Sequence, residues 1–200
     1  RADEIKAAMA TAAEATRDKQ KRVVVQEFCP GEDNRVLVVG QKRVFGIQRV
    51  PAYVVGDGQR TVDELIDDWN AGIRVANRRI RVDKRLKQHL DKVGYQVDTL
   101  VAEGAVVQLC ELANAHRGGF ATDITELMCD SVVDMALTIA SHFNCDFLGV
   151  DFISENIAFE PGKVIELNPH AGITLHHQPT FGKPRNVAGA IVDCLFPETA

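Results

Sequence analysis

The chain has 200 residues, of which 46% are hydrophobic and 26% are charged, and its formal net charge at pH 7 is −5. This composition is typical of a globular chain that buries one core, and the acidic balance argues against a nucleic-acid partner. No apolar run approaches the ~20 residues that span a bilayer. We therefore expect no membrane partner. The first segment carries scattered charge and has no apolar region of a secretory signal.

Five cysteines are scattered along the chain without any CxxC spacing. An odd, scattered set in a chain of this size is typical of reduced thiols in a cytosolic protein. We therefore expect a cytoplasmic location.

The N-terminal segment predicts a helix followed by a strand. Apolar residues at helical spacing predict a helix that ends near Thr16. Residues 23–28 are rich in valine and predict a buried strand, which Pro30 and Gly31 would end.

The next segment predicts a hairpin and a capped helix. Residues 35–39 and 43–50 are two β-rich runs on either side of a short glycine-containing turn. Thr61, with Glu64 three residues further on, forms a capping-box pattern, which predicts a helix to about Asn70.

The middle of the chain is harder to assign. Residues 71–105 are polar and predict a helical insertion, and residues 106–112 are a candidate strand. A helix that Asp130 or Ser131 would cap then carries an apolar stripe. The last helix is expected over residues 186–196.

Two further predicted strands, residues 147–153 and 164–168, carry oxygen-bearing side chains. Glu166 and Asn168 are two apart on one strand, so both project to the same face. Asp151 lies opposite Glu166 only if the chain between the strands bulges out as a loop. Asp151, Glu166 and Asn168 would then suit a hard cation such as Mg²⁺. The alternative is a solvated hairpin with polar residues on its open face.

Several segments resemble the ATP-grasp carboxylate–amine ligases, and in particular the ATP-grasp part of cyanophycin synthetases. The resemblance covers residues 22–197 and implies an α+β fold. This would be one partial domain over residues 1–200, the C-terminal portion of an ATP-grasp fold, with a mainly antiparallel sheet and packed helices. The supporting segments are RVVVQEFCPGEDNRVLVVG (22–40), RVPAYVVGDGQRTVDELI (49–66), ATDIT (121–125), GVDFI (149–153), IELN (165–168) and GKPRNVAGAIVDCLFP (182–197).

The resemblance implies an ATP site and a metal site. Gln26, Glu27 and Phe28 would receive adenine, Asp33 would bind the ribose hydroxyls, and Arg35 would act in catalysis by facing a phosphate or acyl-phosphate. Asp151, Glu166 and Asn168 would hold Mg²⁺. The alternative for Asp33 and Arg35 is a turn residue and a charge at a strand edge.

The resemblance also implies residues that contact the substrate. Asn114 and Arg117 are catalytic candidates in the loop NAHRGG, which resembles the corresponding loop of ribosomal-protein glutamate ligases. His116 and Arg117 depart from the cyanophycin synthetase pattern, so the acceptor stays open. His170, Thr174 and His176 would line the substrate side. A zinc site at the histidines is the weaker alternative, because no cysteine supports it.

The expected activity is ATP- and Mg²⁺-dependent ligation of a carboxylate to an amine through an acyl-phosphate. The substrate would be an amino acid or an acidic peptide, and the sequence leaves room for a homo-oligomer. Nothing before Val23 resembles the half of the fold that supplies lysines and a glycine-rich lid. We therefore expect a fragment that is inactive alone. The alternative is a non-catalytic nucleotide-binding or assembly module.

Overall fold

The computed structural model of the chain describes residues 2–16, 19–73, 79–111 and 118–199. Its strands form one five-stranded sheet and one two-stranded sheet. The strands are β1 (Glu32–Val39), β2 (Arg43–Val50), β3 (Tyr53–Val55), β4 (Val106–Gln108), β5 (Phe120–Asp123), β6 (Phe147–Ser154) and β7 (Lys163–Asn168).

The larger sheet has the spatial order β5-β2-β1-β6-β7, and β3 pairs with β4 in the smaller sheet. Every pair of neighbouring strands is antiparallel. The β1–β2 hairpin turns at Gly40 and Gln41, which have φ of 61° and 54°. The hairpin and the two strands predicted near the C-terminus are confirmed, as is the mainly antiparallel α+β fold.

Helices accompany the sheets, and all but the first carry buried residues; the first is almost entirely exposed. None of those in the described part of the chain combines the length and the apolar character that a membrane crossing requires. They are α1 (Ala2–Ala15), α2 (Val62–Gly72), α3 (Lys84–Lys92), α4 (Asp130–His142), α5 (Thr174–His177) and α6 (Val187–Leu195).

Two helix starts show how well local signals predicted the boundaries. The capping box of α2 is confirmed: the Glu64 amide donates to Thr61 Oγ1 at 3.3 Å, and the Thr61 amide donates to Glu64 Oε2 at 2.8 Å. The predicted cap of α4 is wrong by one or two residues, because Cys129 is the N-cap residue and its side chain makes no hydrogen bond that caps the helix. Its amide instead donates to the Ile157 carbonyl at 3.1 Å, so a tertiary contact sets this helix start. Asp130 lies in the first turn, where a negative charge favours the helix dipole.

The buried strand predicted over residues 23–28 is wrong. This segment forms no strand, and Val24, Val25 and Phe28 are 78%, 78% and 84% exposed. Strand propensity expresses how a residue fits a paired, half-buried surface. A valine-rich run that does not pair with a neighbouring strand therefore stays exposed.

The two faces of the large sheet carry separate apolar clusters. Val36 and Val38 of β1 point to the face that α4 covers, whereas Leu37 and Val39 point to the face that α6 covers. This alternation follows from the two-residue period of a strand. Towards the start of β1 the second face becomes charged, so α6 occupies only part of it.

A third cluster joins α2, α3 and the small sheet. The segment predicted as a polar insertion contributes to it, because its few apolar residues are buried: Ile80, Leu86, Leu90 and Val101 are all less than 8% exposed. Among the described residues of this segment only α3 and the end of α2 are helical. Its apolar residues therefore reach the core both from α3 and from the irregular chain on either side of that helix.

Candidate functional site

The register of the large sheet places five residues in one row across all five strands. Paired residues in neighbouring antiparallel strands project to the same face. This is the face that α6 covers only in part, so the row lies beside the α6 cluster. From edge to edge, the row is Asp123, Ile47, Arg35, Asp151 and Glu166.

Asp151 is the centre of the site. Asp151 is 1% exposed. Arg35 binds its carboxylate through two hydrogen bonds: Nε donates to Oδ1 at 2.7 Å, and Nη2 donates to Oδ2 at 2.6 Å. Arg49 Nη2 donates to Oδ2 of the same carboxylate at 3.0 Å. Two guanidinium groups therefore compensate and orient one buried carboxylate.

Arg49 links this centre to Asp33 in the neighbouring row. Its Nη2 donates to Asp33 Oδ1 at 2.5 Å. Burial raises the pKa of Asp33, against the opposing hydrogen bond and charge of Arg49. Burial acts to lower the pKa of Arg49, but the hydrogen bonds and charges of Asp33 and Asp151 outweigh burial, and the pKa is raised. Arg49 therefore stays protonated between two acidic side chains.

The three predicted metal ligands come together on β6 and β7. Asp151 is the register partner of Glu166, and Asn168 lies opposite Gly149. A register shift between Asp151 and Phe152 takes up the irregularity in the strand, and the chain between the strands forms the expected loop. Asp151 therefore lies opposite Glu166, as the sequence analysis required for a shared cation.

Gly149 makes room for this arrangement. A Cβ atom at this position would lie 2.7 Å from the Ala171 Cβ and 3.5 Å from the Asn168 Cβ. The Asn168 amide lies between Glu166 and Arg35. With its nitrogen towards Glu166 Oε1, at 3.2 Å, its oxygen accepts from Arg35 Nη2 at 3.1 Å. The opposite orientation leaves one contact with Asp151 Oδ2 at 3.3 Å.

The chemistry of these residues fits a hard cation. Two carboxylates and an amide on one face provide the oxygen ligands that Mg²⁺ prefers. A carboxylate has about four lone-pair positions, so the three guanidinium contacts at Asp151 leave capacity for a further partner. Within the described residues no three His, Cys, Asp or Glu side chains cluster as a metal site, and the set proposed here includes an asparagine.

The predicted substrate residues follow β7. His170 is exposed in the turn after the strand, and Thr174 is the first residue of α5. His176 is 1% exposed, and neither ring nitrogen has a hydrogen-bond partner. Burial and, to a smaller extent, the positive charge of Arg35 lower the pKa of His176 to about 4, while Asp123 acts in the opposite direction and His177 adds a small lowering effect. The ring is therefore neutral near pH 7.

The predicted nucleotide residues lie at the entry to β1. Gln26, Glu27 and Phe28 are exposed, and Glu27 Oε1 accepts from Lys163 Nζ, on the first residue of β7, at 2.9 Å. The catalytic candidates Asn114 and Arg117 lie outside the described residues, as does His116. Their roles stay predictions.

Three charged residues at this site were not selected from the sequence: Arg49, Asp123 and Arg185. The signal for Arg49 was present, because the hairpin turn at residues 40–42 pairs Val39 with Arg43 and therefore pairs Asp33 with Arg49. Extending the predicted strand register from this turn would have identified Arg49 as the partner of Asp33. Arg185 binds Asp123 across 62 positions in sequence, a separation over which no local pattern gives a signal.

Comparison with known proteins supports one class. No protein-family profile matches the chain. A cyanophycin synthetase of Crocosphaera subtropica is 36% identical over 190 residues, which cover 90% of this chain and 22% of that protein. A glutathione biosynthesis bifunctional protein of Mannheimia succiniciproducens is 32% identical over 96% of this chain and 27% of its own length.

A solved structure agrees with these relatives. The bifunctional glutathione synthetase from Pasteurella multocida superimposes with a TM-score of 0.75 and 29% identity over 86% of this chain and 25% of its own. The fold and these similarities place the chain in the ATP-grasp ligase family. Within that family it is similar to a portion of the cyanophycin synthetases, and it spans about a fifth (22%) of the length of the first such relative.

Proposed function

We propose that the chain provides the metal and nucleotide site of a ligase that uses ATP to join a carboxylate to an amine through an acyl-phosphate. The observation that carries this proposal is the pairing of Asp151 with Glu166, with Asn168 on the same face of β7. Spacing alone left open a solvated hairpin, and a buried, doubly compensated Asp151 argues against that alternative.

Each residue of the site would have a distinct task. Asp151, Glu166 and Asn168 would hold Mg²⁺, which, when bound, neutralises charge on a transferring phosphoryl group. Arg49 holds the Asp151 carboxylate in place from one side. Arg35 does so from the other side, and its positive charge would stabilise an acyl-phosphate.

The remaining ATP contacts would come from the segment before β1 and from its start. We propose that Gln26, Glu27 and Phe28 receive adenine and that Asp33 binds the ribose hydroxyls. The hydrogen bond from Lys163, the first residue of β7, to Glu27 supports this, because it holds the segment next to the sheet. The backbone of an exposed segment outside the sheets can read the edge of a base, as the backbone in many cofactor sites does.

We propose an amino acid or an acidic peptide as the substrate, with His170, Thr174 and His176 on its side of the site and Asn114 and Arg117 as catalytic partners. His176 supports this, because a buried polar ring without a partner is an unusual feature that suits a ligand contact. We further propose a cytoplasmic location, since all five cysteines are free thiols.

A second function is favoured by one observation, the engagement of both Asp151 oxygens by arginine. A carboxylate held in this way also suits a purely structural ion network. The chain would then be a non-catalytic nucleotide-binding or assembly module, and Glu166 would be an exposed surface acid.

Calorimetry with Mg²⁺ and a non-hydrolysable ATP analogue separates these functions. Glu166→Gln keeps the shape of the side chain and removes a charge, so we expect binding at least about tenfold weaker, or ~1.4 kcal/mol. Glu155→Gln, at an exposed acid in the loop after β6, is the matched control and should bind like the original chain. Equal Mg²⁺-dependent binding by the Glu166 variant and the original chain would reject the metal site.

A further inference from the structure

Residues 173–186, here called the strap, cross the site face between the turn after β7 and the start of α6. Within the strap, α5 packs against β2. Further along, the Thr180 amide donates to the Ala121 carbonyl of β5 at 2.7 Å, and the Asp123 amide donates to the Phe181 carbonyl at 3.0 Å. The strap therefore reaches from one edge strand of the large sheet to the other.

An ion pair closes the strap onto β5. Arg185 Nε donates to both Asp123 oxygens, at 3.1 and 3.0 Å, and Nη2 donates to Oδ2 at 2.5 Å. The side chains of Arg185 and Asp123 are 18% and 4% exposed. Thr125 Oγ1 also donates to Asp123 at 2.6 Å. Burial acts to raise the pKa of Asp123, but the contacts with Arg185 and Thr125 outweigh burial, and the pKa is lowered.

The same arginine is tied to the buried histidine. The Arg185 amide donates to the His176 carbonyl at 2.8 Å, so the ion pair and α5 are mechanically joined. At the last residue of α5, His177 Nε2 accepts from the Ala188 amide of α6 at 3.0 Å. The turn that carries His176 is therefore fixed both to β5 and to α6.

We infer that Asp123 and Arg185 are positioning residues: their ion pair latches the strap over the sheet and holds the His176 ring, excluded from water, against Arg35. The inference rests on the proposed function only in taking Arg35 and Asp151 as the reactive centre. Asp123 and Arg35 belong to the same row across the sheet, so one latch sets the distance between the ring and that row.

The buried ring gives the reason why a latch is needed. A buried polar group without a hydrogen-bond partner favours any opening that lets water reach it. His176 has two such nitrogens. The groups that face it are Arg35 on β1, Asp123 on β5 and His177 on its own helix, and none of them gives it a hydrogen bond. The contacts elsewhere on the strap must therefore keep it closed, and the Asp123–Arg185 pair is its most buried charged contact among the described residues.

The test is NMR titration of the His176 ring in the chain and in Arg185→Gln. If the latch holds the strap, the variant should hydrate the ring, and the His176 pKa should rise from about 4 towards its ordinary value of 6.5. Arg185→Lys should give a smaller rise, since Lys keeps the charge and loses the fork. Asp123→Asn offers a second variant of nearly unchanged shape. Because it also removes a negative charge that raises the His176 pKa, its rise should be smaller than that of Arg185→Gln.

Two controls separate positioning from loss of stability. Lys183 lies on the same strap and forms an exposed ion pair with Glu126, outside the strap. Lys183→Gln removes this ion pair and should leave the His176 titration unchanged. Leu90→Ala destabilises the α2–α3 cluster without touching the strap's ion pairs, and it should also leave the His176 titration unchanged. An unchanged His176 pKa in Arg185→Gln and Asp123→Asn, or an equal rise in Leu90→Ala, would overturn the latch. Calorimetry of Mg²⁺–nucleotide binding reads out the proposed function separately, because the histidine titration needs no ligand.

Discussion

Asp151 has two tasks that different substitutions can separate. It compensates Arg35 and Arg49, and it would hold the metal together with Glu166. Both arginine side chains are less than one-fifth exposed, at 18% and 19%. Removal of the carboxylate charge would therefore leave two partly buried cations with weaker partners.

We expect Asp151→Asn to destabilise the fold by about 3 kcal/mol, the usual scale for breaking a buried ion pair. Glu166→Gln should change stability by less than about 0.5 kcal/mol, because Glu166 is exposed. Urea denaturation of both variants measures this contrast. Equal stability of the two variants would mean that the arginines do not depend on Asp151.

His176 makes stability depend on pH in a defined window. The unfolded chain binds a proton at this residue below pH 6.5, whereas the folded chain does so only below about pH 4. Between these values the unfolded state holds more protons, so stability falls as the pH falls from 6.5 to 4. The full effect is roughly 3 kcal/mol.

We expect His176→Leu to flatten this pH dependence. At pH 7 its stability should match or exceed that of the original chain, because leucine has a similar size and removes two unpartnered nitrogens. Thermal unfolding between pH 4 and 7 measures the effect, with His142→Leu, at an exposed residue of α4, as the control. If His176→Leu loses stability with the original slope, the pH dependence belongs to other groups.

At the scale of secondary-structure elements, β6 and the turn after β7 approach closely at one glycine. Gly149→Ala would place a methyl group 2.7 Å from the Ala171 Cβ, so we expect a loss of about 1–3 kcal/mol from overpacking. Gly172→Ala is the matched control, because nothing lies within 4 Å of the position that its methyl group would take. Chemical denaturation of both variants checks the prediction. A harmless Gly149→Ala would show that the turn after β7 moves freely.

The elements also show what the sequence could predict. The hairpin, the α2 capping box and the β6–β7 loop were correct because each depends on residues that are close in sequence. The strand over residues 23–28 was wrong because a strand also requires a pairing partner, which a propensity does not supply. The short strands β3 and β5 were not assigned, since runs of three or four residues show too little alternation to recognise.

The same division applies to the site. Asp151, Glu166 and Asn168 were found because a fixed two-residue period and a recognisable family pattern place them together. Their arginine partners come from β1 and β2, and the register of the first hairpin was needed to connect them. The ion pair between Asp123 and Arg185 forms only because the strap packs against β5. The sequence did not reveal this tertiary contact.

At the scale of the whole molecule, Phe120 joins the α2–α3 cluster to the large sheet. Its ring centroid lies 4.9 Å from that of Tyr53, 4.6 Å from that of Trp69 and 6.0 Å from that of Phe181. Phe120 is itself a residue of β5. The aromatic contacts therefore connect both sheets, α2 and the strap through one side chain.

We expect Phe120→Ala to cost about 3–5 kcal/mol and to make the α2 region unfold at a lower denaturant concentration than the large sheet. Trp69 is the single tryptophan, so its fluorescence reports on α2 while circular dichroism reports on the whole chain. The two transitions should coincide in the original chain and separate in the variant. Phe143→Ala, at a residue that is 57% exposed, is the control. Coincident transitions in Phe120→Ala would mean that other contacts couple the two regions.

The loop between β6 and β7 has a consequence for protein engineering. The pairing of β6 with β7 places Asp151 opposite Glu166. The loop between them supplies the Ile157 carbonyl that accepts from the Cys129 amide. Phe159 at its tip is 83% exposed, whereas Ile157 is buried, and Gly162 lies too close to the backbone of Ile153 to accept a side chain. A reporter domain or an affinity tag inserted directly after Phe159 would therefore extend into solvent and leave the pairing of Asp151 with Glu166 intact, which makes this tip the preferred place to label the molecule.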